Sequence, residues 1–244
     1  MDRGIYVAAS GAISHSKTLD IISNNLAAGN IIGFKKESPV FNMQEILANH
    51  TASAADSKPL ERVFVNIKGV FEDFSQGILK STGSPLDAAI SGDGFFVVQT
   101  PEGERYTRMG SFTMDKDGKL KTKSGFDVEG ENGVITLTQG RVSIAQDGSI
   151  SVDGAPIDKL KVVVFPKPYP LQKVGEGLFK AAGPGMNPKP AEGVSVFQGN
   201  LEMSNVNTVQ EMVSMLNALR AYESQMKAVK GFDDITDSAI KLAS

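Results

Sequence analysis

The stretch Gly92-Asp93-Gly94-Phe95-Phe96-Val97-Val98 places a glycine-rich turn directly before a short run of aromatic and β-branched residues. A run of that length and composition has the character of a buried strand, because a helix needs more residues and a longer period. The same turn signal recurs downstream in Lys116-Asp117-Gly118, Gln146-Asp147-Gly148 and Val152-Asp153-Gly154, all of hairpin type. Between these turns lie Ser111-Phe112-Thr113-Met114, Val142-Ser143-Ile144 and Leu160-Lys161-Val162-Val163-Val164-Phe165, separated by less than a helix's length. An antiparallel β domain is expected over residues 86–204. Within it, Gly183-Pro184-Gly185-Met186-Asn187-Pro188-Lys189-Pro190 reads as a loop, since its prolines fix φ and remove donors.

On both sides of this domain the period lengthens. In residues 1–38, Ile5, Ala8, Ala12, Leu19, Ile22 and Leu26 recur at alternating three- and four-residue steps, with His15 in the seam position between Ala12 and Leu19. One apolar stripe on a helix from Arg3 to Ala28 results, and Ala8 and Ala12 leave room for a partner helix to approach closely. Gly29 and Gly33 are suited to end it. In residues 205–244 a second helix, Asn207 to Ala243, carries Met212, Met215, Leu219, Tyr222, Met226, Val229, Phe232, Ile235, Ala239 and Leu242. Two successive three-residue steps around Gly231 predict an altered supercoil or a kink. Ser204 or Asn205 is the expected cap, and Glu211 lies early enough to favour the helix macrodipole. Residues 39–85 read as a connector, partly extended: Asn49 to Pro59 is polar, while Val63, Val65 and Ile67 alternate as a strand would. The fold class expected is mainly β with α, a central antiparallel β domain flanked by two terminal helices that pair as a coiled-coil-like unit.

Composition narrows the function. The 244 residues are 41% hydrophobic, enough for a packed domain, and a net charge of −3 leaves no basic footprint for nucleic acid. The absence of cysteine excludes disulfides and thiolate metal sites. No segment approaches the ~20 apolar residues of a membrane span. The opening Met1-Asp2-Arg3-Gly4-Ile5-Tyr6 lacks the features of a cleavable signal, so any export is expected to use another route. His15 and His50 have no neighbouring nucleophile or ligand set. The glycine pairs lack the third glycine of a dinucleotide fingerprint, and Asp115-Lys116-Asp117-Gly118 fits a hairpin turn better than a calcium loop. No enzyme, cofactor or metal is expected.

A helix of ~25 residues is about 37 Å long, and its apolar stripe must be buried against something. The two terminal helices are natural partners for each other. Their pairing would still leave Val7, Ile13, Ile21, Val213, Leu216 and Ala228 exposed. Neighbouring subunits would cover these flanks, and head-to-tail contacts of that kind generate open filaments. The alternative is a free-standing β module, binding carbohydrate or cell wall, with its helices docked on itself.

Four ordered blocks carry a resemblance. Asn24-Asn25-Leu26-Ala27 with Gly33-Phe34-Lys35, then Phe74-Ser75-Gln76-Gly77 with Thr82 to Phe96 (Gly92, Gly94, Phe95 and Phe96 included), then Tyr106-Thr107-Arg108-Met109-Gly110-Ser111-Phe112, then Gly199 to Asn207 through Asn205 with Arg220-Ala221-Tyr222-Glu223, resemble the flagellar rod and hook family. Ala28 and Ile31 stand where that family usually has Asn and Thr. The resemblance implies an axial structural subunit exported by the flagellar type III apparatus. It further implies joining copies of itself and other rod proteins in the periplasm, transmitting torque, and packing its helices around a central channel. Asn24 and Asn25 would tie the first helix to its surroundings or serve the turn after it.

Overall fold

The computed structural model describes residues 2–47, 61–183, 188–191 and 193–243. The protein is mainly β with one long helix near each end, and its chain divides into two compact units. Met1–Ala27, Lys36–Asp73 and Val206–Ser244 make a helical unit; Ala28–Lys35 and Phe74–Asn205 make a β unit.

In the helical unit, α1 (Asp2–Ala27) packs on α2 (Thr208–Ala243) and on an antiparallel hairpin of β1 (Lys36–Leu47) and β2 (Glu61–Asp73). The hairpin is in register from Lys36 opposite Asp73 to Leu47 opposite Glu61, with one shift between Val40 and Phe41. A regular ribbon thus stands in the region expected as a partly extended connector over 39–85. Its period was hard to read because the bulge breaks the two-residue alternation. The polar stretch Asn49 to Pro59, with His50, lies outside the described residues. The cap of α2 is Asn207, whose Oδ1 accepts from the Gln210 N–H at 3.1 Å while its carbonyl accepts from Glu211 N–H at 2.9 Å. Ser204 and Asn205, the caps expected from the sequence, precede this position, and the helix runs through Gly231 as one uninterrupted element.

The β unit contains β3 (Leu79–Ser81), β4 (Ala88–Ser91), β5 (Phe95–Thr100), β6 (Gly103–Thr107), β7 (Phe112–Met114), β8 (Leu120–Thr122), β9 (Asp127–Gly130) and β10 (Gly133–Val134). They are followed by β11 (Val142–Ile144), β12 (Ser149–Val152), β13 (Ala155–Lys159), β14 (Val162–Val164), β15 (Leu171–Gly175) and β16 (Leu178–Ala181). The last are β17 (Lys189–Pro190), β18 (Ser195–Gln198) and β19 (Asn200–Glu202). The largest sheet has the order β15-β16-β6-β5-β9-β8-β7, and all its pairings are antiparallel.

Strand β5 is central, and its unbroken apolar run follows from burial on both faces. Phe96 and Val98 join Phe112, Leu120, Val128 and Ile150 in one core. Phe95 and Val97 join Tyr106, Phe165 and Phe179 in the other. The turns at 116–118, 146–148 and 152–154 connect paired strands, as their sequences indicate. In the first of these turns, Asp115 Oδ1 accepts from the N–H groups of Asp117 and Lys119 at 3.0 and 2.8 Å. Gly92-Asp93-Gly94 differs, because β4 pairs with β18 and β5 pairs elsewhere; it is a turn between two sheets and not a hairpin. The stretch expected as a loop over 183–190 ends in a short strand, where Lys189–Pro190 pairs with β14. Proline is tolerated there because a strand with a free edge need not donate on that side. Residues 184–187 of that loop lie outside the described residues.

Candidate assembly interface

The two helices run antiparallel. Gly4 faces Phe232, Gly11 faces Gln225, and Asn25 reaches Glu211, so each step along α1 is matched by an equal step back along α2. The approach is close where side chains are absent. A Cβ on Gly4 would strike the Phe232 ring, and one on Gly11 would come within 3.2 Å of Gln225 Cδ.

Every member of the α1 stripe read from the sequence is covered: Ala8, Ala12 and Ile22 are buried, and Ile5, Leu19 and Leu26 are half-buried beside a half-buried His15. On α2 a covered row runs through Glu211, Met215, Ala218, Tyr222, Gln225, Val229, Phe232 and Thr236, alternating four and three steps without a break, with Ser214, Ala221 and Gly231 half-buried beside it. Met215, Tyr222 and Val229 of the predicted stripe fall on this face. Met212, Leu219 and Met226 do not; they are exposed at 49%, 41% and 44%, as is Ile235. The side chains of Ala239 and Leu242 lie outside the described residues. The three-three step around Gly231 arose from mixing residues of two faces, since α2 is apolar on both.

The outer face of α2 is the more unusual one. Val209, Met212, Val213, Leu216 and Leu219 are all exposed, and between Asn207 and Leu219 the one charged residue, Glu211, has a side chain only 3% exposed. An apolar surface over three helical turns without an exposed charge is characteristic of a contact face. On α1, Tyr6, Val7 and Ile13 are exposed. Of the flanks expected to remain open, Val7, Ile13, Val213, Leu216 and Ala228 do so. Ile21 is buried instead, because α1 has the hairpin as a second neighbour in addition to α2.

Asn25 ties the end of α1 to the start of β1. Its Oδ1 accepts from Glu37 N–H at 2.9 Å, and its Nδ2 donates to the Glu37 carbonyl at 2.7 Å and to Glu211 Oε2 at 3.4 Å. Lys36 Nζ closes the group at 2.6 Å from the other Glu211 oxygen. The adjacent Asn24 is exposed.

The motif blocks meet in the interior of the β unit at Glu202. Its Oε1 accepts from Lys35 Nζ at 2.6 Å and Gly77 N–H at 2.9 Å, and its Oε2 from Arg108 Nη1 at 3.2 Å. Lys35 also donates to the Ser75 carbonyl, and Arg108 to the Gly92 carbonyl, while the guanidinium lies 5.2 Å from the Phe95 ring centre. All three charged side chains are at most 2% exposed. Glycines let the backbone close around them. Gly33 takes a positive φ of 65° and donates its N–H to the Glu202 carbonyl at 2.7 Å. A Cβ on Gly110 would overlap the Ala88 carbonyl. Phe34 is buried under Lys173, whose Nζ sits 3.9 Å from the ring centre. Phe96 packs edge-on against Phe112, Gly94 takes a φ of 155°, and Asn205 Nδ2 holds the Ser75 carbonyl and hydroxyl at 3.2 and 3.0 Å. Near this group, Asp93 titrates below its usual 3.8 because Lys167, and then Tyr169, donate hydrogen bonds to it.

Lys35, Arg108 and Glu202 stand in the motif blocks and Glu211 in the early part of the second helix, but the ion pairs they make were not read from the sequence. For Arg108 and Glu202 a signal was present: each is a charged residue set among glycine and apolar neighbours, where a solvated charge has no place.

Residues 89–152 match the flagellar hook protein FlgE/F/G D1 domain, and residues 198–242 match the flagellar basal body rod FlgEFG protein C-terminal family. The chain is 34% identical to the flagellar basal-body rod protein FlgF of Caulobacter vibrioides, over 99% of this chain and 98% of that one. It is likewise 34% identical to the rod protein FlgG of Borreliella burgdorferi, over 99% of each chain, and 32% identical to FlgF of Escherichia coli, over 100% and 99%. This chain belongs to the flagellar basal-body rod protein family. The two matched segments of the rod family contain Arg108 and Glu202, which meet in the β unit, and most of α2.

Proposed function

We propose that this rod-family chain is a structural subunit that assembles with copies of itself and with other rod proteins through the outer faces of its terminal helices. In this reading Ile5, Ala8, Ala12, Leu19, Ile22, Leu26, Met215, Tyr222 and Val229 hold a coiled-coil-like helix pair. Met212, Leu219 and Met226, with Val209, Val213 and Leu216, meet the next subunit. The assembled rod stands in the periplasm, its subunits delivered through the flagellar export apparatus, and carries torque along stacked helices. No catalysis is assigned to it.

The observation that supports this most is the exposed, charge-free row on α2 from Val209 to Leu219. Water is a poor neighbour for such a face: burying it contributes roughly 25 cal/mol for each Å² of apolar area removed from solvent. A contact that repeats from subunit to subunit along a rod has a use for it. The test is substitution of Leu216 and Val213 by Asp, with the subunit followed by immunoblot in purified basal bodies. Incorporation is expected to be lost while the β unit stays folded. Basal bodies carrying the normal amount of the double variant would overturn the proposal.

A further inference from the structure

We propose that residues 195–205 are a closing latch for the β unit: β5 and β6 do not settle into protected structure until this ribbon docks and Glu202 reaches Lys35 and Arg108.

Geometry links the two events. Arg108 follows β6 directly, and Phe95 opens β5. Pairing these strands in register, Phe96 opposite Thr107, brings the Arg108 guanidinium over the fully buried Phe95 ring. A cation carried into that interior is strongly disfavoured without a counter-charge. The carboxylate that faces it belongs to Glu202, and the same carboxylate serves Lys35. Completing the sheet and docking the ribbon are thereby one step.

The ribbon also completes the backbone around it. Among the described residues, β4 has β18 as its strand partner and β3 has β19. Gly199 donates to the Asp87 carbonyl at 2.8 Å and accepts from Thr82 N–H at 2.7 Å, and Met203 donates to the Ile78 carbonyl at 2.9 Å. Val196 is 2% exposed within the core that contains Phe96 and Val98. A chain whose last fifth is still held on the ribosome, or in any channel that passes the N-terminus first, lacks these partners and stays open. The device delays folding until nearly the whole chain is free.

Refolding of the full chain from denaturant, with pulsed amide exchange read residue by residue, tests the latch. The amides of Val97, Val98, Tyr106 and Thr107 are expected to gain protection at the same rate as those of Phe197 and Leu201. Protection of the first group about tenfold earlier would overturn the proposal, since the sheet would then close without the ribbon. Glu202→Gln is expected to slow protection of both groups together by about tenfold, as changes to a contact formed in the folding transition state do. Val196→Ala leaves every charge in place and covers the case in which Glu202→Gln does not fold. It is expected to slow refolding of β5 and β6, and a variant that only unfolds faster while refolding at the normal rate would sink the idea.

Discussion

The charge balance around Glu202 makes a prediction whose order matters more than its size. The Glu202 carboxylate is shared by Lys35 and Arg108, and all three side chains are at most 2% exposed. Glu202→Gln retains an oxygen for Lys35 and Gly77 but removes the negative charge that the two buried cations share. Breaking a buried pair by deleting one partner costs about 3–5 kcal/mol, and the retained acceptor puts this change near the lower end. Lys35→Met removes one cation and leaves Arg108 and Glu202 matched one to one. Its cost is the lost hydrogen bond to the Ser75 carbonyl and the lost contact with Glu202, roughly 1–3 kcal/mol. For a chain of this size each kcal/mol moves the midpoint by roughly 2–4 °C, so a loss of about 3 kcal/mol gives roughly 6–12 °C. Thermal and urea unfolding followed by circular dichroism measure both variants against the parent. If Lys35→Met proved as damaging as Glu202→Gln, the carboxylate would not be the scarce charge and the reasoning would fail.

Further outcomes follow from individual contacts. Leu216→Asp, on the exposed face of α2, should leave the isolated protein within about 0.5 kcal/mol of the parent by urea unfolding, while Leu26→Asp, half-buried on α1, should cost more than that. Asn25→Ala removes two hydrogen bonds to Glu37 and should lower stability by about 1–3 kcal/mol, visible as faster amide exchange at Glu37; unchanged exchange would contradict its tying role. Gly110→Ala drives a methyl group into the Ala88 carbonyl and should cost about 1–3 kcal/mol, whereas Gly154→Ala, with open space around it, should lose only from its positive φ. Asp93 is held below its ordinary 3.8 chiefly by Lys167, so its contribution to stability is complete above the unfolded value and disappears as pH falls through the folded one. Lys167→Met should raise the Asp93 pKa toward 3.8 in a carboxyl-carbon NMR titration, and no movement would refute the assignment.

The β unit was legible in the sequence because its turns announce themselves. Aspartate-glycine pairs at 117–118, 147–148 and 153–154 sit where only a few turn types fit, and the runs between them are too short for helices. What joins distant segments was not legible. Gly92-Asp93-Gly94 has the same local grammar as the hairpins, yet the strands on either side of it do not pair with each other: β4 pairs with β18, far away in sequence, and β5 with β6. Turn chemistry fixes a local reversal and says nothing of which sheet each strand enters. The β1–β2 ribbon was obscured for a related reason: its pairing spans residues 36 to 73, and a bulge interrupts its alternation.

The terminal helices show where periodicity alone stops. On α1 the stripe from Ile5 to Leu26 and the covered face coincide, while Tyr6, Val7 and Ile13 stand exposed beside it. On α2 two apolar rows run side by side with the same seven-residue repeat: Met215, Tyr222 and Val229 are covered, and Met212, Leu219 and Met226 are exposed one position away from the covered Glu211, Ala218 and Gln225. A helix apolar on two sides satisfies more than one stripe, and the polar residues decide between them. Glu211 and Gln225 look like outer-face residues by type, but they sit on the covered face because each has a particular neighbour there, Asn25 and Gly11. Inward polar residues and outward methionine and leucine invert the pattern of a helix that ends its interactions within its own chain. That inversion is concentrated in the turns between Asn207 and Leu219, where the exposed surface carries no charge to hold off another subunit.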